Sequence, residues 1–355
     1  MFWHSTLTYD PSYQPFVGLK GLGASEDQID LNLGPLHRIV VGLSCANLAE
    51  QIEQNLCGVD DTDWSGATAL MWAAWHSNVD HIVTLLAYNA RVDKADMGGS
   101  SVLHAAAESG SLDCVLALLR ANADPNMANN DGRTPLHNSL YNRKNRAVIA
   151  ALIEHGADIE PRTTYTKFTP LHEAILKSFG WEIVKFLLEY GADINALWKD
   201  EDTPISLAIF MNETRTIQLL ASMGASSSWK TLRGENNIVK EAAVYATANT
   251  MRVLAETELA PIICSLEDIQ FLFNDCRNRN RIDLQRSYRG ESYEEEEDAL
   301  MFLIGKKVIL TDDEYIQAFG DAQAMSDETE SGENEDIYIS EEDEIFVDAS
   351  EEITV

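Results

Sequence analysis

A net charge of −32 over 355 residues argues against direct binding to phosphate backbones or anionic membranes and favours basic partners. A hydrophobic fraction of 45% is ample for a core, yet no apolar run approaches the ~18 residues of a membrane helix. Five cysteines (Cys45, Cys57, Cys114, Cys264 and Cys276), odd in number and without a C-x-x-C pair, suit reduced thiols in an intracellular compartment better than a disulfide framework.

Residues 1–28 carry aromatics and two prolines without helical period and read as a flexible leader. Their opening, MFWHSTLTYDPSYQPF, has neither a basic n-region nor an apolar core, so no secretory signal is expected. From about Ile29 to Ser226 one pattern recurs. Thr134-Pro135-Leu136-His137 returns as Thr169-Pro170-Leu171-His172 and, in weaker form, around Leu36-His37, Leu70-Met71, Leu103-His104 and Ile205-Ser206. The proline slot holds Pro35, Ala69, Val102, Pro135, Pro170 and Pro204, separated by 34, 33, 33, 35 and 34 residues. A catalytic histidine has no reason to recur at a fixed interval, whereas a stacked structural unit must.

Each unit opens on a turn such as Asp63-Trp64-Ser65-Gly66-Ala67-Thr68, whose last residue can cap a short helix that accepts proline in its first turn. Small residues follow where helices crowd. A second helix then ends in paired aliphatics (Leu85-Leu86, Leu118-Leu119, Leu152-Ile153, Leu187-Leu188) and in Asn89, Asn122, Gly156, Gly191 or Gly224. Asn and Gly best tolerate the left-handed conformation that closes a helix, so their interchange at one slot is physically sensible.

These residues resemble the ankyrin repeat. About six units over residues 29–226 imply an all-α ankyrin-repeat solenoid, with a β-turn or hairpin tip and two antiparallel helices per repeat. Repeats one and six are degenerate, with Asn32 and Glu201 in the turn-glycine slot, and repeat five has Lys167 there; repeats four and five each carry one extra residue between their helices. The array and acidic tail together resemble fungal-type ankyrin-repeat domain-containing proteins. The resemblance implies a structural role for His37, His104, His137 and His172, each bonded to its cap residue (Thr134 and Thr169 for the last two) and to neighbouring backbone. It also implies partner binding through the tips and the concave face of the first helices. Carried over slot by slot, that surface comprises Trp64, Met97, Tyr165 and Trp198 at the tips, with Trp72, Trp75, His76, Asn138, Tyr141, Asn142, Phe210 and Met211 on first helices. Lateral packing is the competing reading for Trp72 and Trp75. Trp64 and Trp198 are the stronger candidates, since aromatics at water-facing slots are enriched at binding hot spots.

Residues 227–290 read as a degenerate repeat over 237–257 followed by a helical cap, in which Leu266, Ile269, Leu272, Phe273 and Cys276 share one stripe. Residues 291–355, at −21, read as an acidic and mostly disordered tail apart from an island at 299–310. Two tail patches, Asp336–Glu344 and Glu344–Asp348, resemble SUMO-interacting motifs or acidic–hydrophobic activation segments, and Ser340 precedes an acidophilic kinase pattern; a solubilising tail is the plain alternative.

Enzyme signals are weak. Gly18–Gly23 has the wrong spacing for a dinucleotide loop, no phosphate loop or H-E-x-x-H occurs, and His76 and His81 do not share a helical face. No catalytic residue, metal or cofactor is therefore expected. The reading is a non-enzymatic, intracellular (cytoplasmic or nuclear), monomeric interaction scaffold for a protein partner of basic character, with no direct nucleic-acid or membrane binding and with its tail able to contact the array. The alternative is a transcriptional co-regulator whose array holds a DNA-bound partner and whose tail recruits machinery.

Overall fold

The computed structural model describes residues 33–54, 58–141, 145–177, 180–199, 202–231, 234–264, 272 and 293–310. Expectations for residues 1–32, for Asn142 and Glu201, for most of 265–292 and for 311–355 lie outside these.

Successive short helices pair off along the chain: α1 (Pro35–Val40) with α2 (Leu48–Glu53), α3 (Ala69–Trp75) with α4 (Val79–Ala87), and α5 (Val102–Ser109) with α6 (Leu112–Arg120). The pattern continues through α7 (Pro135–Ser139) and α8 (Arg146–Glu154), α9 (Pro170–Leu176) and α10 (Trp181–Glu189), and α11 (Pro204–Phe210) and α12 (Thr214–Ser222). First helices stack on first helices and, apart from α8 and α10, second on second, and the apolar core is one continuous layer between them. Each unit buries little alone, and its neighbours supply the missing cover. The chain is thus an all-α ankyrin-repeat solenoid.

Local chemistry starts and stops each helix. Thr68 accepts from the Met71 N–H at 3.3 Å and Asn78 from the His81 N–H at 3.0 Å, satisfying first-turn donors that have no helical partner. Asn89 (φ 61°), Asn122 (φ 63°) and Gly156 (φ 90°) close second helices in the left-handed region, where Asn and Gly are least strained. In the turns, a side chain at Gly132 would lie 2.6 Å from the Thr164 N, so glycine is what lets neighbouring tips approach. The tips are joined by Met97 N–H to Ser65 C=O (2.9 Å), Asn130 N–H to Gly98 C=O (2.9 Å) and Thr164 N–H to Asp131 C=O (2.7 Å).

Beyond Ser226 a hairpin of β1 (Ser228–Thr231) and β2 (Gly234–Asn237) leads into α13 (Ile238–Tyr245) and α14 (Ala248–Ala255). These continue the two layers against α11 and α12, so a seventh helical pair extends the stack. The last pair is covered by α15 (Tyr293–Lys307), which lies along α14 and buries Ala299, Leu300 and Leu303. Two short strands, β3 (Ile262–Cys264) and β4 (Val308–Leu310), pair in parallel beside it. The Lys307 ammonium donates to the Thr257 and Leu259 carbonyls just beyond the end of α14. The boundary expected at residue 290 therefore falls ahead of a covering helix whose first half was assigned to the tail. The acidic run Glu294–Asp298 sits in the first turns of α15, where the positive end of the helix dipole favours carboxylates. Leu272, expected on the cap stripe, is buried.

Candidate interaction surface

Counting from the cap residue of each first helix (Thr68, Ser101, Thr134, Thr169, Thr203) puts equivalent side chains in register. Four positions earlier lie the tips Trp64, Met97, Asn130 and Lys199; in the fifth turn, one residue longer, Thr164 takes that slot by its backbone bond and Tyr165 follows it. Trp64 is 56% exposed, Met97 71% and Tyr165 74%, a costly display of large apolar groups unless something covers them. The hydrogen bonds between tips hold this row on a rigid edge.

Trp198 does not belong to that row. It lies five residues before its cap, in the slot of Asp63, and its N–H bonds the Asp202 carbonyl (2.9 Å) as the Asp63 N–H bonds that of Ala67 (2.9 Å). Only 5% exposed, its ring packs on Phe168 at a centroid distance of 4.9 Å. Its expected partner-binding role is corrected to packing between repeats five and six. Trp72 is corrected in the same way: at 4% exposure its indole N–H donates to the Asp63 carboxylate at 2.9 Å. That carboxylate also accepts from the Ser65 hydroxyl and two backbone N–H groups, so Trp72 steadies the turn that presents Trp64. Trp75 is half-buried, edge-on to Trp72 at 5.7 Å, and the exposed His76 stacks on Trp72 at 6.0 Å.

The repeated histidines face inward. The Thr134 N–H donates to His137 Nδ1 (3.1 Å), which leaves the proton on Nε2 to be donated to the Phe168 carbonyl of the next turn (3.4 Å). His104 does the same with Ser101 (3.0 Å) and the Arg133 carbonyl (2.9 Å), and His37 reaches the Ala67 carbonyl at 3.0 Å. His172 closes its own box, with Nδ1 2.8 Å from the Thr169 hydroxyl. Burial lowers the pKa of His104 and His137 to about 4 and of His172 to about 3. Imidazoles bonded in this way lie between neighbouring turns rather than on the surface.

Between repeats four and five, α7 and α9 touch less than other neighbouring first helices, and a polar cluster bridges them. The Arg133 guanidinium grips Glu173 through two bonds of 2.7 and 2.6 Å. Lys177 sits 3.3 Å and Arg133 5.0 Å from the centre of the half-buried Tyr141 ring. Burial pushes the Lys177 pKa down to about 8 against the pull of Glu173, and raises that of Glu108, whose carboxylate accepts from Asn138 at 3.4 Å. Phe210, 37% exposed, meets Tyr245 edge-on at 5.2 Å further along this face. The sequence reading took Tyr141 and Phe210 but missed Arg133 and Glu173. Their signal was positional: one residue before a cap, and four after the next cap.

Among the described residues no group of three or more His, Cys, Asp or Glu is placed to hold a metal ion, and no helix is long and apolar enough to cross a membrane. What the surface offers is rigid, partly apolar contact area.

Comparison with known proteins agrees with this geometry. A family model of three ankyrin repeats matches residues 103–197, and one of a single ankyrin repeat matches residues 65–97. Among solved structures, the crystal structure of the ankyrin repeat domain of Bcl-3, described as a unique member of the IkappaB protein family, superposes with a TM-score of 0.55. Identity is 24%, over 62% of this chain and 98% of that one, so the likeness is one of fold. With 547 solved chains matching, a fold this widely shared does not name a partner. No curated protein sequence matches the chain.

Proposed function

This chain is an ankyrin-repeat protein, built as a protein–protein interaction domain, and we propose that it is a non-enzymatic scaffold that holds a protein partner against its tips and first-helix face. The observation that carries the reading is the tip row: Trp64, Met97 and Tyr165 are 56%, 71% and 74% exposed on an edge fixed by backbone hydrogen bonds. Rigid aromatics lose little entropy on binding and dominate interface energetics. A net charge of −32 steers basic partners. The scaffold works as a monomer, since α15 covers the last helical pair, and inside the cell, where the free thiols of Cys45 and Cys114 stay reduced. Residues 311–355, with seventeen acidic side chains and no basic one, are tethered to the array, are drawn to its basic spots and are displaced by a cationic partner.

Affinity capture on wild-type chain and on a Trp64→Ala/Tyr165→Ala variant tests the reading. Proteins retained by the first should be lost from the second, while circular dichroism and melting stay unchanged. Equal retention by both would move the interface off the tips. A chain lacking 311–355 separates the co-regulator alternative: capture abolished by that truncation would put recruitment in the tail.

A further inference from the structure

Second helices pack on their neighbours along the array except at one junction. Between repeats four and five the contact of α8 with α10 is slight, and a cleft of about 210 Å³ lies there, lined by Arg146, Trp181, Glu182, Lys185, Phe186 and Glu189. Trp181 and Phe186 are half-buried, and the Phe186 ring continues onto that of Tyr190 at 4.8 Å, so an aromatic wall meets water. The charges around it are not all matched. Lys185 lies 3.7 Å from Glu189, and Glu182 turns its carboxylate back over Gly180. Among the described residues Arg146 has no ion pair. In sequence it closes the run Arg143-Lys144-Asn145-Arg146, three basic residues in four within a chain of net charge −32.

An aromatic ring flanked by carboxylates suits such a cleft. A cavity of about 150 Å³ already holds benzene, and a guanidinium beside aromatic walls favours an anion. The chain carries a segment of this kind. Residues 336–348 set Tyr338 between Ile337 and Ile339 and Phe346 between Ile345 and Val347, on either side of Glu341-Glu342-Asp343-Glu344, with no basic residue. The segment is also within reach. From α15 to α14, α14 to α12 and α12 to α10 are three helix packings, or ~27 Å at ~9 Å each. Residues 311–335 bridge the same gap, and a coil of twenty-five residues spans ~28 Å. Tethering raises the effective concentration to as much as ~mM, so a weak contact suffices.

We propose that residues 336–348 dock in the cleft between α8 and α10, with an aromatic ring of the segment against Trp181 and Phe186 and its carboxylates towards Arg146. The proposal rests on the reading that the tail is drawn to basic spots of the array, and it names the spot. Docking here withdraws apolar side chains of the tail from water while the tips and first-helix face stay open to a partner. A cationic partner that takes up the carboxylates releases the segment.

Amide NMR of the full-length chain, wild type against Tyr338→Ala/Phe346→Ala, reads the docking directly. Loss of the rings should shift the amides of 146–154 and 181–189 and the Trp181 indole, and leave those of 69–120 in place. The blocked peptide of residues 336–348, titrated into that double variant, should restore the wild-type positions. The same peptide with alanine at both rings should bind about tenfold more weakly. Adding Arg146→Glu to the double variant should weaken the intact peptide about fivefold. The fold should persist, because a carboxylate in the first turn of α8 suits the helix dipole. Equal binding of the two peptides, or undiminished binding to the Arg146→Glu chain, would overturn the proposal. Shifts confined to other parts of the array would overturn the cleft and leave the tail's attraction standing, whereas identical spectra of wild type and double variant would overturn both. Shifts that grow with protein concentration would put a second copy's segment in the cleft and overturn docking within one chain. Trp64→Ala/Tyr165→Ala should leave every one of these readouts intact, so failure of the tip reading and failure of this site are separate results.

Discussion

An imidazolium at position 137 cannot accept from the Thr134 N–H, and it would sit fully buried with little to solvate it. The folded pKa of His137, about 4, therefore lies below the ordinary imidazole value of 6.5. The unfolded chain binds the proton first as pH falls. His137 thus contributes stability that is fully present above pH ~6.5 and is lost progressively towards pH ~4. Glu241, with its pKa raised to about 7, acts with the opposite sign in the same window, so absolute stability is a poor readout. The difference between wild type and His137→Ala is the clean one: about 1–3 kcal/mol near pH 7.5, for a lost buried hydrogen-bonding group, and clearly smaller at pH 5. Denaturant titrations at the two pH values measure it, and a pH-independent difference would contradict the neutral-wedge role. This histidine was legible in the sequence because its slot recurs. Trp198 was misread although the signal was present: counting five back from Thr203 gives the slot of Asp63, not that of Trp64.

Element boundaries divide the same way. Where helix length and spacing keep a period of 33 or 34 residues, the first and second helices fall where apolar spacing, caps and Asn or Gly terminators put them. Where the period stretches to 35, the structure adds a residue to the fifth turn, closed by Thr163 and Phe168 (3.1 Å), and α7 and α9 drift apart. The junction is then bridged by Arg133 and Glu173, whose side chains are 17% and 4% exposed. A pair defined by tertiary contact between repeats leaves no periodic trace. Removing one partner strands the other, so Arg133→Ala or Glu173→Ala should each cost about 3–5 kcal/mol, whereas Arg133→Met with Glu173→Leu should cost much less. Equilibrium unfolding of the three variants checks this. A double variant as unstable as the sum of the singles would mean that the pair does not act as a unit. The first turns of α15 read as tail for a different reason: their acidic run reads as solvated chain until the face of α14 that the helix covers is known.

At the scale of the whole molecule, the repeat is what the sequence displays best, because every unit must satisfy the same stacking geometry. The partner is what it displays least, because contact residues are the ones that stacking leaves free to vary. Trp64, Met97 and Tyr165 stand on separate tips and differ in residue type, and only the structure separates them from the buried Trp72 and Trp198. The central claim is that the tips and first-helix face carry the partner. Hydrogen exchange of the full chain, alone and saturated with a protein recovered by affinity capture, tests it most directly. The account predicts slowed exchange across the tips at 63–68, 96–101 and 163–169 and along the first helices that follow them. Protection confined to the second helices, at 79–87, 112–120, 146–154 and 181–189, would contradict it.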